Sequence, residues 1–276
     1  MRSAQWATEW QGLQMKRTFS FFVLFLLYFA LGAFGYDGTA PSHPSAPAGR
    51  RTVADVMREI GPRAESHLKP YFEKAGLSYP PSRVTFIGLK DELELEVWAE
   101  KDHQWVYVAT YDVYGASGGL GPKEKAGDGQ VPEGIYRITE LNPNSRFHLS
   151  MKLDYPNGFD RLMAKSDGRS HLGGDIYLHG KTKSKGCIAV GDQAIEELFV
   201  LTARTGIEKV KMVIAPYDLR TNTPHSEIRV SPSWLPKLYE TLGQELTKYR
   251  PKEAAGLRTN YLSEAEYEAD SSGVLP

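Results

Sequence analysis

The 276-residue chain contains a single cysteine, Cys187. One thiol cannot close an internal bridge, so no disulfide framework supports the fold. The cysteine is then a buried apolar residue, a free thiol awaiting a partner, or a nucleophile. Excess charge is lacking as well: 33 Lys and Arg stand against 34 Asp and Glu, a formal net charge of −1. That balance, with no basic face, argues against a nucleic-acid partner. There is no internal repeat and no His-Glu-x-x-His motif, the strong ligand signature of a zinc peptidase. What is present, 41% apolar and 11% aromatic residues, is ordinary globular composition, and the length suits one or two domains with a proper core.

Long apolar runs are scarce. The one that stands out, residues 19–35, follows Lys16-Arg17 and ends in Ala33-Phe34-Gly35. A basic region, an apolar core and a small-residue end describe a secretory signal peptide cleaved after Gly35, which places the protein in the periplasm. The alternative is an uncleaved anchor, because 17 residues is at the lower edge of a membrane span. The membrane is a partner only in that second case. Residues 1–14 fit neither part, and Met15 is an alternative start.

Residues 36–50 are rich in Pro, Ala, Ser and Gly and read as a flexible linker. Val53, Val56, Met57 and Ile60 recur at helical spacing, Gly61-Pro62 interrupts, and Ala64, Leu68, Tyr71, Phe72 and Ala75 resume it. This predicts two short helices in a lead-in over 51–81, with His67 at a surface or edge. From Arg83 the period becomes two. Val84, Phe86 and Gly88 alternate with their neighbours, and Leu93, Leu95 and Val97 alternate with Glu92, Glu94 and Glu96, which are expected on the wet face of an antiparallel strand. Residues 105–111 and 135–139 are further strands, and Phe147, Leu149, Met151 and Leu153 alternate with His148 on the opposite face. The glycine-rich stretch 115–129 predicts a loop beside the site, with Lys125 solvated. A helix begins at Gly191-Asp192, with Asp192 as its N-cap and Gly206 as its stop, before a last apolar strand over 210–215. Leu235, Leu238, Leu242, Leu246 and Tyr249 form a helical stripe, expected to pack on the domain from an extension spanning 217–250. Residues 251–276 are a polar tail, expected to be disordered or loosely docked.

The chain is organised around residues 176–190, Ile-Tyr-Leu-His-Gly-Lys-Thr-Lys-Ser-Lys-Gly-Cys-Ile-Ala-Val. Residues 176–178 read as a buried strand and 188–190 as apolar backing. The loop between them is exposed and shaped by its backbone. His179 lies eight positions before Cys187, so an imidazole and a thiol stand at the two ends of one short loop, as a Cys–His nucleophile pair requires. A free thiol has a pKa of about 8.5, so at neutral pH it needs a partner to take its proton. Asp175, Tyr177 and His179 share one face of a strand. That opens a rival reading in which His171, Asp175 and His179 hold a metal ion.

His179-Gly180 followed by Ser184-Lys185-Gly186-Cys187 resembles the signature of the L,D-transpeptidase catalytic domain (YkuD type), which is His-Gly, a loop of variable length, then Ser-x-Gly-Cys. The short loop is similar to the stand-alone murein L,D-transpeptidase-like branch. Val131-Pro132-Glu133-Gly134-Ile135-Tyr136 resembles the family's Thr-Pro-x-Gly-x-Phe/Tyr. Asn142-Pro143-Asn144-Ser145 and Tyr155-Pro156-Asn157-Gly158-Phe159-Asp160-Arg161 resemble that branch's substrate-side segment, and Gly173-Gly174-Asp175-Ile176-Tyr177 resembles the approach to the histidine.

The resemblance covers residues 82–216. It implies an α+β fold, a β-rich domain of mixed, mainly antiparallel sheet with peripheral helices. It implies Cys187 as nucleophile, His179 as general base, the Gly180 carbonyl as the group that orients the ring, and Gly186 in a loop whose amides form an oxyanion hole. Lys185, Ser184 and Tyr177 fall on the substrate side, Ser184 also fixing the loop. Ala189 stands where many members have Arg, which leaves the holding of a substrate carboxylate open. The implied activity is acyl transfer on peptidoglycan stem peptides through a thioester on Cys187. The L,D bond at the third residue of a tetrapeptide is attacked, D-Ala leaves, and the acyl group passes to an amine. With water as acceptor the same site is a carboxypeptidase, or an amidase that releases a wall-attached lipoprotein. No cofactor and no metal is implied. A zinc peptidase and a wall-binding module without turnover are the other readings.

Overall fold

The computed structural model describes residues 49–221 and 232–249, with the backbone of Arg258 and Thr259. Residues 1–48, which include the apolar run and most of the linker, and nearly all of the tail lie outside these. Among the described residues no helix is long and apolar enough to cross a membrane.

Ten strands make one sheet: β1 (Val84–Leu89), β2 (Glu94–Lys101), β3 (Gln104–Asp112), β4 (Gly115–Ala116), β5 (Gly134–Ser145), β6 (His148–Leu153), β7 (Tyr177–His179), β8 (Ile188–Ala189), β9 (Val210–Ala215) and β10 (Arg258–Thr259). Their order is β10-β3-β2-β1-β9-β5-β6-β7-β8-β4. The pairs β1–β9, β7–β8 and β3–β10 are parallel and the rest antiparallel. β5 joins two halves: residues 134–137 pair with β9, and residues from Ile138 onward pair with β6. The helices are α1 (Val53–Glu59), α2 (Gly61–Lys74), α3 (Gly158–Ser166), α4 (Asp192–Thr205) and α5 (Leu235–Leu246). This is the mixed, mainly antiparallel α+β architecture expected above.

Alternation along β1 divides its side chains between two cores. Val84 and Phe86 join a cluster with Leu95, Val97 and Leu149, covered by Val56 of α1, Leu68 and Phe72 of α2, and Leu198 and Phe199 of α4. Ile87 and Leu89 point the other way, into a cluster with Trp98 and Val213, covered by Leu235, Leu238, Leu242 and Leu246 of α5. Local chemistry starts the helices. Thr52 and Asp55 form a reciprocal capping box on α1, and Asn157 and Asp160 form one on α3.

Covering both faces overturns the expectation of a wet face at Glu96, whereas Glu92, just before β2, is exposed and Glu94 is half-buried. Glu96 is 1% exposed. It is bound by the Arg220 guanidinium through two hydrogen bonds of 2.8 and 3.0 Å and accepts a third, 2.8 Å, from Trp98 Nε1. Asp192 is not the N-cap of α4 either. Gly191 occupies that position without a side-chain cap, and Asp192 sits in the first turn. Phe147 is not an inward strand residue: β6 starts at His148, and Phe147 lies in the β5–β6 turn, 40% exposed. In the tail, Arg258 and Thr259 pair with Thr110 and Tyr111 of β3.

Candidate active site

The polar face of the β6–β7–β8 segment is built by register. Ser150 of β6 pairs with His179 and Lys152 with Tyr177. On the other side Ala189 of β8 pairs with His179, which sets Cys187, two residues earlier, beside Tyr177. Side chains two apart on a strand share a face, so Tyr177, His179, Ser150 and Cys187 come to one side. The intervening Met151, Leu178 and Ile188 are buried in the core behind them. The sequence-selected thiol and imidazole thus line one cleft of about 230 Å³, together with Asn142, Asn144, Ser145, Arg146, Phe147, Ser150 and Tyr177.

His179 is 2% exposed. Its Nδ1 lies 2.6 Å from the carbonyl oxygen of Gly180. A carbonyl only accepts, so Nδ1 carries the proton and Nε2 is left as the ring's free acceptor. Burial pushes the imidazole below its usual pKa, while the Gly180 bond pulls weakly the other way. Gly180 has no room for a side chain: a Cβ would lie 2.6 Å from Asp192 Oδ1, 2.7 Å from Phe147 O and 3.0 Å from Ile195 Cγ2. The ring of Phe147 lies against the imidazole, with centroids 4.5 Å apart.

The thiol of Cys187 accepts from Tyr177 N at 3.4 Å and donates to Asp175 O at 3.6 Å. Among the described residues neither of its hydrogen bonds is to His179. Burial raises its pKa and so does the Asp175 carboxylate, outweighing the Tyr177 amide and the Lys123 ammonium, which act in the opposite sense. Both groups therefore rest neutral. Asp175 holds a left-handed φ of 54°, unusual for a non-glycine residue, at the point where its carbonyl meets the thiol.

The loop from Gly180 to Cys187 is fastened at several points. Asp192, freed from capping, accepts from Lys181 N at 2.9 Å and pairs with Lys181 Nζ at 2.7 Å. Ser184 Oγ accepts from Cys187 N at 3.2 Å. Gly186 takes a left-handed φ of 85°, and its amide donates to Ser117 Oγ at 2.6 Å. As it stands, that amide serves the loop. Ser117 passes the bond on to Gly129 O, also at 2.6 Å. Lys185 is exposed. Its stem runs beside Gly129 and is not part of the cleft wall.

Of the two segments expected on the substrate side, Asn142, Asn144 and Ser145 line the cleft. The second does not line it, because Asn157 and Asp160 spend their polar atoms on the N-terminus of α3. His171, Asp175 and His179 do not converge: the first two are exposed while His179 is buried, and no group of three His, Cys, Asp or Glu able to hold a metal exists among the described residues. Sequence reasoning missed Phe147, Ser150, Asp192 and Ser117. Ser150 was recoverable, since it lies on the face opposite Leu149 and Met151. His148 bonds Glu196 at 2.8 Å.

A mixed sheet thus presents a half-buried thiol and an imidazole of one fixed tautomer in a shared cleft. Residues 95–214 match the YkuD family model, L,D-transpeptidase catalytic domain. It is 33% identical over 135 residues to "Putative L,D-transpeptidase YafK" of Escherichia coli strain K12, covering 47% of this chain and 52% of that protein. The same figures hold for its counterpart from E. coli O157:H7. The chain thus spans about half the length of the curated relatives it matches. Among solved structures it is similar to the helical cell shape determining protein Pgp2 from Campylobacter jejuni (TM-score 0.41, 19% identity, 54% of this chain and 55% of that one). A similarity to Mycobacterium tuberculosis L,D-transpeptidase 1 has a TM-score of 0.28 at 11% identity, over 48% of this chain and 62% of that one.

Proposed function

We propose that this protein is a cysteine-dependent acyl transferase on peptidoglycan stem peptides, working in the periplasm on cell-wall remodelling. The observation that carries the reading is the 2.6 Å bond from His179 Nδ1 to Gly180 O, which leaves Nε2 as a base in the cleft that holds Cys187. The thiol swings from Asp175 O to Nε2 as substrate enters, since catalytic hydrogen bonds often close only in the complex. Sγ attacks the carbonyl carbon of the L,D amide while its proton passes to Nε2. His179 then returns that proton to the departing nitrogen, and D-Ala leaves as an amine. The thioester has two fates. An amine attacks it to form a new amide and a cross-link, or water attacks it to give a carboxylate, which would make the protein an L,D-carboxypeptidase; where the amine that departs in the first step belongs to a wall-attached lipoprotein instead of D-Ala, the same hydrolysis makes it an amidase that frees that lipoprotein. In both, the proton of the acceptor returns to Sγ through His179. Tyr177, Ser184 and Lys185 are assigned to positioning the loop and the peptide beside it.

Muropeptides analysed by mass spectrometry, beside a Cys187→Ala control, test this. New cross-links between third residues, absent in the control, are expected of a transpeptidase. Cys187-dependent release without new cross-links makes the second step hydrolysis. Activity that survives Cys187→Ala and is lost to a chelator would sink the thiol mechanism.

The neutral resting pair makes a second prediction. Alkylation of Cys187 by iodoacetamide should climb with pH up to and beyond the ordinary thiol range of about 8.5, because burial raises that thiol. The acid limb of kcat/KM should lie below the ordinary imidazole value of about 6.5, because burial lowers His179 and the base works only unprotonated. Alkylation that is flat with pH across the neutral range would mean a preformed thiolate–imidazolium pair and would overturn this account.

A further inference from the structure

The cleft at Cys187 is polar on most sides and free of acid. Asn142, Asn144, Ser145 and Ser150 supply hydrogen-bonding groups, and among the described lining residues Arg146 brings the formal positive charge. Other cations near the thiol are occupied. Lys152 is bound to Asp175 at 2.7 Å, Lys181 to Asp192 at 2.7 Å, and buried Lys123 to Asp128. Lys185 lies outside the cleft wall. Arg146 is exposed, and no carboxylate among the described residues pairs with it.

The turn that carries Arg146 is held from both ends. Phe147 N donates to Ser145 Oγ at 3.1 Å, and Asn144 exchanges hydrogen bonds of 2.9 and 2.7 Å with the backbone of Arg51. His148 is tied to Glu196 at 2.8 Å, and Glu196 is also bound by Arg63. Phe147, next to Arg146, lies on the imidazole. A single two-residue turn therefore places a guanidinium at the mouth of the cleft and an aromatic ring against the base.

We propose that Arg146 is a specificity-determining residue, whose guanidinium binds a carboxylate that the peptide substrate carries close to the scissile amide. The inference rests on the peptide-substrate reading above. An acid-free polar cleft with one unpaired guanidinium favours an anion, and the planar fork matches a carboxylate with two parallel bonds, which a lysine cannot reproduce. That carboxylate has two sources in a tetrapeptide. One is the terminal carboxylate of the departing D-Ala, and the other is the side-chain end of the third residue where that residue is a diamino dicarboxylic acid.

The experiment uses the full chain carrying Cys187→Ala, so that binding is read without turnover, alone and combined with Arg146→Gln or Arg146→Lys. Calorimetry measures a tetrapeptide and its two mono-amides, one blocked at the terminus and one at the third-residue side chain. Arg146→Gln should weaken binding of the free acid by about tenfold or more. It should have no effect on the mono-amide that lacks the contacted carboxylate, which identifies the source. Arg146→Lys should recover part of the loss, and the effect should shrink at high salt. Equal binding of all three peptides by the parent and the Gln variant would overturn the proposal. So would equal weakening of all three, which marks general distortion of the turn. Failure of the parent to bind any of the peptides would instead sink the peptidoglycan reading on which the proposal stands.

Discussion

Gly180→Ala is expected to lower kcat/KM by about a hundredfold, the cost of a displacement of about 1 Å at a catalytic group. The added methyl meets Phe147 O at 2.7 Å and Asp192 Oδ1 at 2.6 Å. The first is backbone, and the second is clamped by Lys181, so the peptide after His179 must shift. That peptide's own carbonyl holds the imidazole tautomer. The same overpacking should cost about 1–3 kcal/mol of stability. A control at Gly158, where a Cβ meets nothing within 4 Å, should leave both quantities unchanged. Steady-state kinetics with a denaturant titration separates the two effects. Full activity in Gly180→Ala would show that the turn yields without moving the ring.

Arg220→Ala should give the largest loss of stability, about 3–5 kcal/mol by denaturant unfolding, because it strands a buried carboxylate. The Arg220 side chain is 3% exposed and that of Glu96 is 2% exposed. Asp218 adds bonds of 2.7 and 2.9 Å to the same guanidinium. The cleft is on the other half of the sheet, so activity of the folded fraction should be retained. Adding Glu96→Gln to Arg220→Ala should recover part of the loss, since the leftover charge is then gone. A loss of only about 0–1 kcal/mol, the value of an exposed pair, would show that water or another cation replaces the guanidinium.

The Glu96–Arg220 pair also shows where sequence reading stops. Partners 124 residues apart are not linked by any local period. Two-residue alternation correctly located β1 and β2, but it could not reveal that a helix from the end of the chain covers their second face. The same limit applies to Lys90 and Glu133, a buried pair 2.9 Å apart contributed by two separate strand ends. The thiol and imidazole were legible because a strand, a short loop and a second strand bring positions 179 and 187 together without help from the rest of the chain. Asp192 was misread for an instructive reason. An Asp before an apolar helical pattern is a good cap on local grounds, and here tertiary contact with Lys181 took its oxygens. Phe147 was assigned inward because the alternation that begins at Leu149 was extended by one step too many, across the turn.

The parallel pairing of β1 with β9 bears on how the chain matures. Val84 cannot find its neighbour Val210 until almost the whole described chain exists. β5 meets β9 through residues 134–137, so it waits for the same segment. A chain growing from its N-terminus holds both of these strands with an open edge until β9 arrives to lie between them. Contacts so distant in sequence slow folding. Translation halted before residue 210 should therefore yield a protease-sensitive, self-associating intermediate, and release of β9 should be the event that closes the sheet.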